Sequence, residues 1–156
     1  MGFALRAATT DDGPSVRELV FAILRAYGIT PEPAGLDAGV MLVGTRESGA
    51  LLEPVATKED GARIVGIGVL MPREPGVGWV SKLFVDAEER RQGIGRALLT
   101  AVVDGARARG LVRLGLQTRT IFREAVALYE ATGWTRGDDP THAHGPDRTY
   151  WLDLAR

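Results

Sequence analysis

Apolar residues recur at helical spacing in three segments of the chain. In each segment, side chains about three and four positions apart form one apolar face, which is typical of a helix packed on a core. The first segment is preceded by Asp11, Asp12 and Ser15 around Pro14, and their side-chain oxygens are common helix caps. A glycine ends each segment, as often happens at helix C-termini. The predicted helices lie within residues 16–28, 93–110 and 125–133.

Other segments are rich in β-branched and alternating apolar residues and predict strands. Turns at residues 58–61 and 72–76 join three of them into an antiparallel meander. Pro54 favours an edge position for the first meander strand, because proline cannot donate to a neighbour. The predicted strands are residues 3–7, 51–57, 63–71, 77–85 and 111–117, with a last strand or hairpin at Trp134 and residues 150–154.

The order of these elements predicts an α/β (α+β) fold. We expect a mixed, mostly antiparallel central sheet of about six or seven strands, with helices on both faces. The 156 residues are most simply one domain, residues 1–156. Residues 29–49 hold several glycines and prolines and predict a long irregular region, with one weak helix near residues 36–42. A region of that length is often a binding loop.

Composition and charge narrow the possible functions. The net charge is −1, whereas proteins that bind nucleic acid non-specifically are usually basic. The absence of cysteine excludes disulfides and a cysteine nucleophile. Residues 1–6 lack an apolar signal region, and no apolar run approaches the roughly 18 residues of a membrane span. We therefore expect a cytoplasmic protein with no nucleic-acid or membrane partner.

The segment with the strongest functional signal is the glycine loop at residues 88–98. Gly93 and Gly95 open the second predicted helix, arginines flank them, and the strand at residues 77–85 precedes them. A strand that leads through glycines into a helix N-terminus directs several backbone N–H groups into one small space. Such a space binds phosphate oxygens.

Three other interpretations of this loop compete with the one given below. A dinucleotide fingerprint needs a third glycine where this chain has Leu98, and it follows the first strand of a βαβ unit rather than a meander. A Walker loop needs the Gly-Lys-Ser/Thr sequence, which is missing. In a helix that merely begins with two glycines, each glycine would lower helix stability by roughly 1 kcal/mol relative to alanine, with no compensating function.

Two segments resemble the GNAT superfamily of N-acetyltransferases. Residues 83–85 and 90–99 match its acyl-CoA signature, in which Arg90, Gly93 and Gly95 fill the pattern Arg/Gln-x-x-Gly-x-Gly/Ala. Residues 125–134 match the Ala-x-x-Leu-Tyr-Glu-x-x-Gly-Phe segment of that superfamily, with Trp134 in place of phenylalanine. The two segments stand in the usual order, and the strand order agrees along the whole chain.

The resemblance implies acetyl-CoA (CoA) as the cosubstrate, with no metal. The backbone of the fourth strand would pair with the pantetheine arm and direct an N–H group at the thioester oxygen. The glycine loop would bind the pyrophosphate. Tyr129 would contact the CoA sulfur and donate a proton to it. The implied cofactor-binding residues are Leu83, Phe84, Val85, Arg90, Arg91, Gln92, Gly93, Ile94, Gly95 and Arg96.

The sequence departs from better-marked members of the superfamily at three places. Phe122 stands where many have an asparagine, Gln117 stands where some have a glutamate base, and residues 79–82 contain no acid. A base would then be water or a residue of the long loop. The candidates there are Glu32, Asp37 and Glu47.

His142 and His144 have a metal-like spacing, but cysteines and further histidines are lacking, so a polar turn is favoured. They could also line the acceptor pocket.

The function favoured by these observations is acetyl-CoA-dependent, direct transfer of an acetyl group to a primary amine of a small molecule, a peptide or a protein. Acceptor specificity would lie in residues 27–49 and 135–148, which carry no recognisable motif. The alternative is a CoA-binding sensor or interaction module without catalysis, which the missing asparagine and glutamate motivate. A dinucleotide-binding protein is a third hypothesis. A homodimer is possible, since dimers are common in the superfamily.

Overall fold

A computed structural model describes residues 2–35, 37–58, 61, 63–140 and 145–154. Within these residues the chain forms seven strands and three helices. His142 and His144, for which a polar turn is predicted, lie outside the described residues. The strands are β1 (Phe3–Ala7), β2 (Pro54–Lys58), β3 (Ile64–Glu74), β4 (Val77–Val85), β5 (Arg113–Thr118), β6 (Thr135–Arg136) and β7 (Arg148–Asp153). The helices are α1 (Gly13–Ala26), α2 (Ile94–Ala108) and α3 (Arg123–Ala131).

The strands form one sheet in the order β1-β2-β3-β4-β5-β7-β6. Neighbouring strands are antiparallel except for β4 and β5, which are parallel. The predicted fold class is therefore confirmed. The predicted edge position of β2 is wrong, because β2 pairs with β1 on one side and β3 on the other. Pro54 is tolerated there as the first residue of the strand, opposite Ala7.

The parallel pair β4–β5 opens along its length. Residues Val77–Trp79 pair with Arg113–Gly115, and no further pairing joins these two strands within the described residues. The register of β4 against β3 shifts between Lys82 and Val80, which leaves Ser81 in a β-bulge. Past this bulge, β4 continues along β3 while β5 continues along β7. The sheet therefore has an opening between the carboxyl halves of β4 and β5.

Alternate residues of β3 determine how the helices cover the sheet. Ile67 and Val69 pack in one buried cluster with Val16 and Val20 of α1. On the other face, a Cβ added to Gly66 would lie 2.8 Å from Leu98 Cδ1, which is too close for a real contact. The glycine therefore allows α2 to approach β3 closely. This approach places the N-terminus of α2 beside the end of β4.

The long irregular region after α1 packs on the α1 face of the sheet. It contains short 3-10 helices at Ala38–Leu42 and Arg46–Ser48, the first of which lies near the predicted weak helix. Val40 and Val43 are buried in the same cluster as α1. The region is thus held against the core at these two residues. None of the described helices is long and apolar enough to cross a membrane.

An ion pair joins β1 to the start of α1. The Arg6 guanidinium donates to the two carboxylate oxygens of Asp12 at 2.7 and 2.9 Å, and the Thr9 backbone N–H donates to the same carboxylate at 2.7 Å. The bonds from Arg6 are the largest cause that lowers the pKa of Asp12 from 3.8 to about 2. Because the folded pKa lies below the unfolded one, the pair stabilises the fold above about pH 4.

We predict that Asp12→Asn destabilises the protein at pH 7 by about 1–2 kcal/mol, a range that allows for solvent screening of the half-exposed Arg6. The difference from wild type should shrink as pH falls from about 4 towards 2, because the wild-type carboxylate becomes protonated in that window. Urea unfolding of both proteins at pH 7 and at low pH measures this difference. A difference independent of pH would contradict the assignment.

Candidate active site

A cavity of about 350 Å³ lies where the end of β4, the N-terminus of α2 and the start of α3 meet. It reaches both faces of the sheet through the opening between β4 and β5, since Ile23 of α1 and Tyr27 directly after α1 also line it. Nine of the ten predicted cofactor-binding residues line it. These are Leu83, Phe84, Val85, Arg90, Arg91, Gly93, Ile94, Gly95 and Arg96.

The backbone of β4 presents free hydrogen-bonding groups to this cavity. The Asp86 N–H donates to the Val65 carbonyl of β3 at 2.8 Å. In an antiparallel pair the direction of the backbone groups alternates, so those of Phe84 also face β3 and those of Leu83 and Val85 face away from it. That side would have been occupied by β5 if the two strands had stayed together. The cavity is thus bounded by an unpaired strand edge.

The loop between β4 and α2 directs further N–H groups into the same space. Arg91 has φ = 67° and Gly93 has φ = 81°, so the chain passes twice through the left-handed region before α2 begins. The first bond within α2 runs from the Ala97 N–H to the Gly93 carbonyl at 2.9 Å. The N–H groups of Ile94, Gly95 and Arg96 therefore have no partner within the helix. Together with the positive end of the helix dipole, they form a site suited to an anion.

A buried carboxylate anchors this loop. Glu89 is 7% exposed and accepts hydrogen bonds from Lys58 of β2 at 2.9 Å, Arg63 at 2.9 Å and Gln92 at 3.0 Å. The bond from Lys58 is the largest cause that lowers the pKa of Glu89. The Gln92 side chain therefore points to Glu89, and Gln92 does not line the cavity. Sequence reasoning missed Glu89, because its partners Lys58 and Arg63 are distant in sequence.

The loop is also tied to α3 across the cavity. Arg90 forms an ion pair of 3.0 Å with Glu124 in the first turn of α3. Both residues line the cavity. This pair leaves Arg91 and Arg96 as the loop arginines that form no ion pair with another described residue.

A second cavity of about 190 Å³ adjoins the first. The two share walls made by Leu83, Phe84, Phe122 and Ala125. Tyr129 lines only the second cavity, together with Gln117. The structure thus places the predicted catalytic residue on the far side of a common wall from the glycine loop.

Tyr129 is held rigidly in the core. Its ring lies 5.7 Å from the ring centres of both Trp134 and Tyr150, and only 4% of the residue is exposed. Burial is the largest cause that raises the pKa of the Tyr129 hydroxyl above its ordinary value. The hydroxyl therefore keeps its proton at neutral pH.

One of the three predicted base candidates reaches the second cavity. Asp37 lines it, and its carboxylate also accepts a hydrogen bond from the Glu32 backbone N–H at 2.6 Å. Glu32 and Glu47 line neither cavity. The described residues hold no cluster of three or more groups that could bind a metal ion.

Sequence reasoning missed Ser81 and Lys82, which also line the second cavity. The β-bulge brings them there, and neither belongs to a motif that the sequence displays.

Comparisons with known proteins agree with this geometry. The sequence model of the Acetyltransferase (GNAT) family matches residues 24–134. The IAA acetyltransferase of Azospirillum brasilense is 40% identical over 86 residues, which cover 54% of this chain and 55% of that protein.

Two solved structures illustrate the fold. A GNAT-family acetyltransferase from Staphylococcus aureus Mu50 superposes with a TM-score of 0.86 at 18% identity, covering 97% of this chain and 99% of that one. The PaiA N-acetyltransferase of Thermoplasma acidophilum, in complex with coenzyme A, superposes with a TM-score of 0.75 at 16% identity, covering 99% of this chain and all of that one.

The chain belongs to the GNAT acetyltransferase family. The family match covers the whole stretch from the end of α1 to Trp134, which includes both cavities' central walls. The sequence alignments to the first curated relatives cover between 24% and 55% of those proteins.

We predict that Glu89→Ala loosens the glycine loop, because Lys58, Arg63 and Gln92 lose their shared acceptor. The expected results are a lower melting temperature and faster hydrogen exchange of the amides of residues 91–95. Glu88→Ala is the matched control, since this neighbouring side chain is exposed and lies outside the network. Equal exchange in the two variants would contradict an anchoring role.

Proposed function

We propose that the protein is an acetyl-CoA-dependent N-acetyltransferase that transfers the acetyl group directly to a primary amine. The observation that carries this proposal is the meeting, in one cavity, of the free edge of β4 with the N-terminus of α2. A strand edge and an anion site in that order suit a molecule with an amide-bearing arm and a pyrophosphate.

The residues of the first cavity fit coenzyme A in two respects. The pyrophosphate would accept hydrogen bonds from the N–H groups of Ile94, Gly95 and Arg96, next to the guanidinium groups of Arg91 and Arg96. The pantetheine arm would pair with the backbone of Leu83 and Val85 as an added strand. The family membership and the coenzyme A bound to the PaiA relative support this placement.

The second cavity is the proposed site of the amine acceptor. The amine nitrogen attacks the thioester carbon, a C–N bond forms, the C–S bond breaks, and the electron pair leaves with sulfur. The Leu83 N–H would stabilise the oxyanion, and Tyr129 would give its proton to the departing thiolate. Asp37 is the carboxylate on the described wall of this cavity and is the candidate acceptor of the proton lost by the amine. The products are an N-acetyl amide and the CoA thiol.

The second candidate function is a CoA-binding sensor without catalysis. It is favoured by the side chains of Phe122 and Gln117, which line the second cavity in place of an asparagine and a glutamate. Isothermal titration with acetyl-CoA and with NAD tests the shared premise of CoA binding. Thiol release with a panel of amines and peptides then separates the two functions, because a sensor should give no turnover with any acceptor. Homodimer formation and cytoplasmic location stay predictions from the sequence.

We predict that Gly95→Asp weakens acetyl-CoA binding by about 100-fold, because it adds a negative charge where the pyrophosphate would lie. Gly95→Ala is the matched control. A Cβ there would be 3.5 Å from Leu128 and 3.6 Å from Val85, which are ordinary contacts, so alanine should keep the wild-type Kd within a few-fold. Calorimetry measures both constants. An aspartate variant that binds normally would exclude this position for the pyrophosphate.

We predict that Tyr129→Phe lowers kcat at least 10-fold and changes the Kd of acetyl-CoA little, because only the proton donor is lost. Tyr150→Phe is the control. It removes a neighbouring hydroxyl that bonds Glu130 at 2.6 Å and lines neither cavity, so it should affect stability and leave kcat near wild type. If kcat fell equally in both variants, Tyr129 would be a packing residue.

A further inference from the structure

Hydrogen-bond donors without partners among the described residues lie at one wall of the second cavity. Ser81 Oγ is buried and has no hydrogen-bond partner among those residues. Lys82, half-buried beside it, forms no hydrogen bond or ion pair with another described residue, and Arg119 adds a second cation to the wall. Donors that lack acceptors in a concave site indicate a ligand that supplies acceptor oxygens.

The β-bulge explains why Lys82 lies there. Because Ser81 is an extra residue in β4, the side chains after it change faces, and Lys82 projects to the side covered by α1 and the long loop. A Cβ on Gly39 would lie 2.8 Å from Lys82 Nζ, so the absence of a side chain at this loop residue leaves room for the ammonium. The Lys82 side chain is therefore enclosed by the long loop and does not extend along the protein surface.

The ammonium of Lys82 is poorly compensated. Burial is the largest cause that lowers its pKa, while the more distant charges of Asp37 and Glu53 act in the opposite direction. The Glu53 carboxylate accepts a bond from the Gly44 N–H, and Asp37 accepts one from the Glu32 N–H. An anion that reached Lys82 directly would replace the hydration lost on burial, which favours its binding.

Other lining residues give the cavity an apolar wall. It is made by side chains of α1, the long loop, β4 and the loop before α3, namely Val20, Leu24, Val40, Phe84 and Phe122. Phe122 packs edge-on against Phe84 and Tyr27, with ring centres 5.9 and 5.1 Å apart. The cavity thus offers a cationic side and an apolar side within about 190 Å³.

We propose that the acceptor is a small amino acid-like molecule, and that Lys82 binds its carboxylate while the apolar wall holds its side chain. This inference rests on the proposed function, since it places the acceptor amine beside Leu83, the residue that follows Lys82. Polyamines and other acceptors without an anionic group are disfavoured, because they would bring a further positive charge to Lys82 and Arg119.

The test compares amino acids with their uncharged amides as acceptors. Phenylalanine and leucine are assayed against phenylalaninamide and leucinamide, by thiol release, with wild type, Lys82→Gln, Lys82→Arg and Arg107→Gln. Arg107 is a half-exposed residue of α2 far from both cavity linings and controls for the loss of one positive charge.

We expect wild type to prefer the acids. Lys82→Gln should lower kcat/KM for the acids by 10- to 100-fold and for the amides by less than about twofold, as loss of a hydrogen bond to a charged group implies. Lys82→Arg should restore most of the loss, and Arg107→Gln should match wild type. Equal losses for acids and amides would overturn carboxylate recognition and indicate a role in catalysis or folding.

A binding experiment separates this inference from the proposed function. Melting temperatures are measured with N-acetylphenylalanine and with N-acetylphenylalaninamide, for wild type and Lys82→Gln, with and without CoA. A larger increase in melting temperature with the acid than with the amide, absent in Lys82→Gln, supports the inference. It does so even if acetyl-CoA does not bind and the proposed function is wrong. If acid and amide give equal shifts while acetyl-CoA binds and amides are acetylated, the proposed function stands and the carboxylate site is overturned.

Discussion

The separation of β4 from β5 after Trp79 is the constraint on which the rest of the structure depends. Three residue pairs join these parallel strands, and then the bulge at Ser81 turns β4 away. If the pairing continued, the ladder would use the backbone groups of Leu83 and Val85, and the opening between the two faces would close. Both cavities exist because this pairing stops. The cost is a set of unpaired backbone groups, which a ligand shaped like a strand can satisfy.

A second requirement is that the N-terminus of α2 be held beside that free edge. Gly66 lets the helix approach β3 more closely than any residue with a Cβ would allow. Glu89 joins the loop before α2 to Lys58 and Arg63, so the loop is anchored to the sheet and not only to the helix. The left-handed conformations at Arg91 and Gly93 persist because these contacts on either side determine the path of the chain.

The two cavities divide the chemistry of the site. The first combines the backbone of the β4 edge and the N-terminus of α2 with apolar side chains such as Phe84 and Leu128. The second is lined by side chains of β4, the long loop and the turn before α3. Under the proposed function, this division would let one fold keep its acyl donor and change its acceptor.

The sequence by itself determined the elements and the glycine loop, because helical and strand periodicity and the two motifs are local properties. It placed β4 at residues 77–85, as observed. The role of Tyr129, which lines the second cavity, stays a prediction. The tertiary structure alone decided three things. Pro54 lies on an interior strand because β1 pairs with β2. Glu89 bonds Lys58 of β2 and Arg63, which directly precedes β3. Lys82 faces the long loop because of a one-residue bulge. Each of these depends on register between segments far apart in the chain, which no local pattern records.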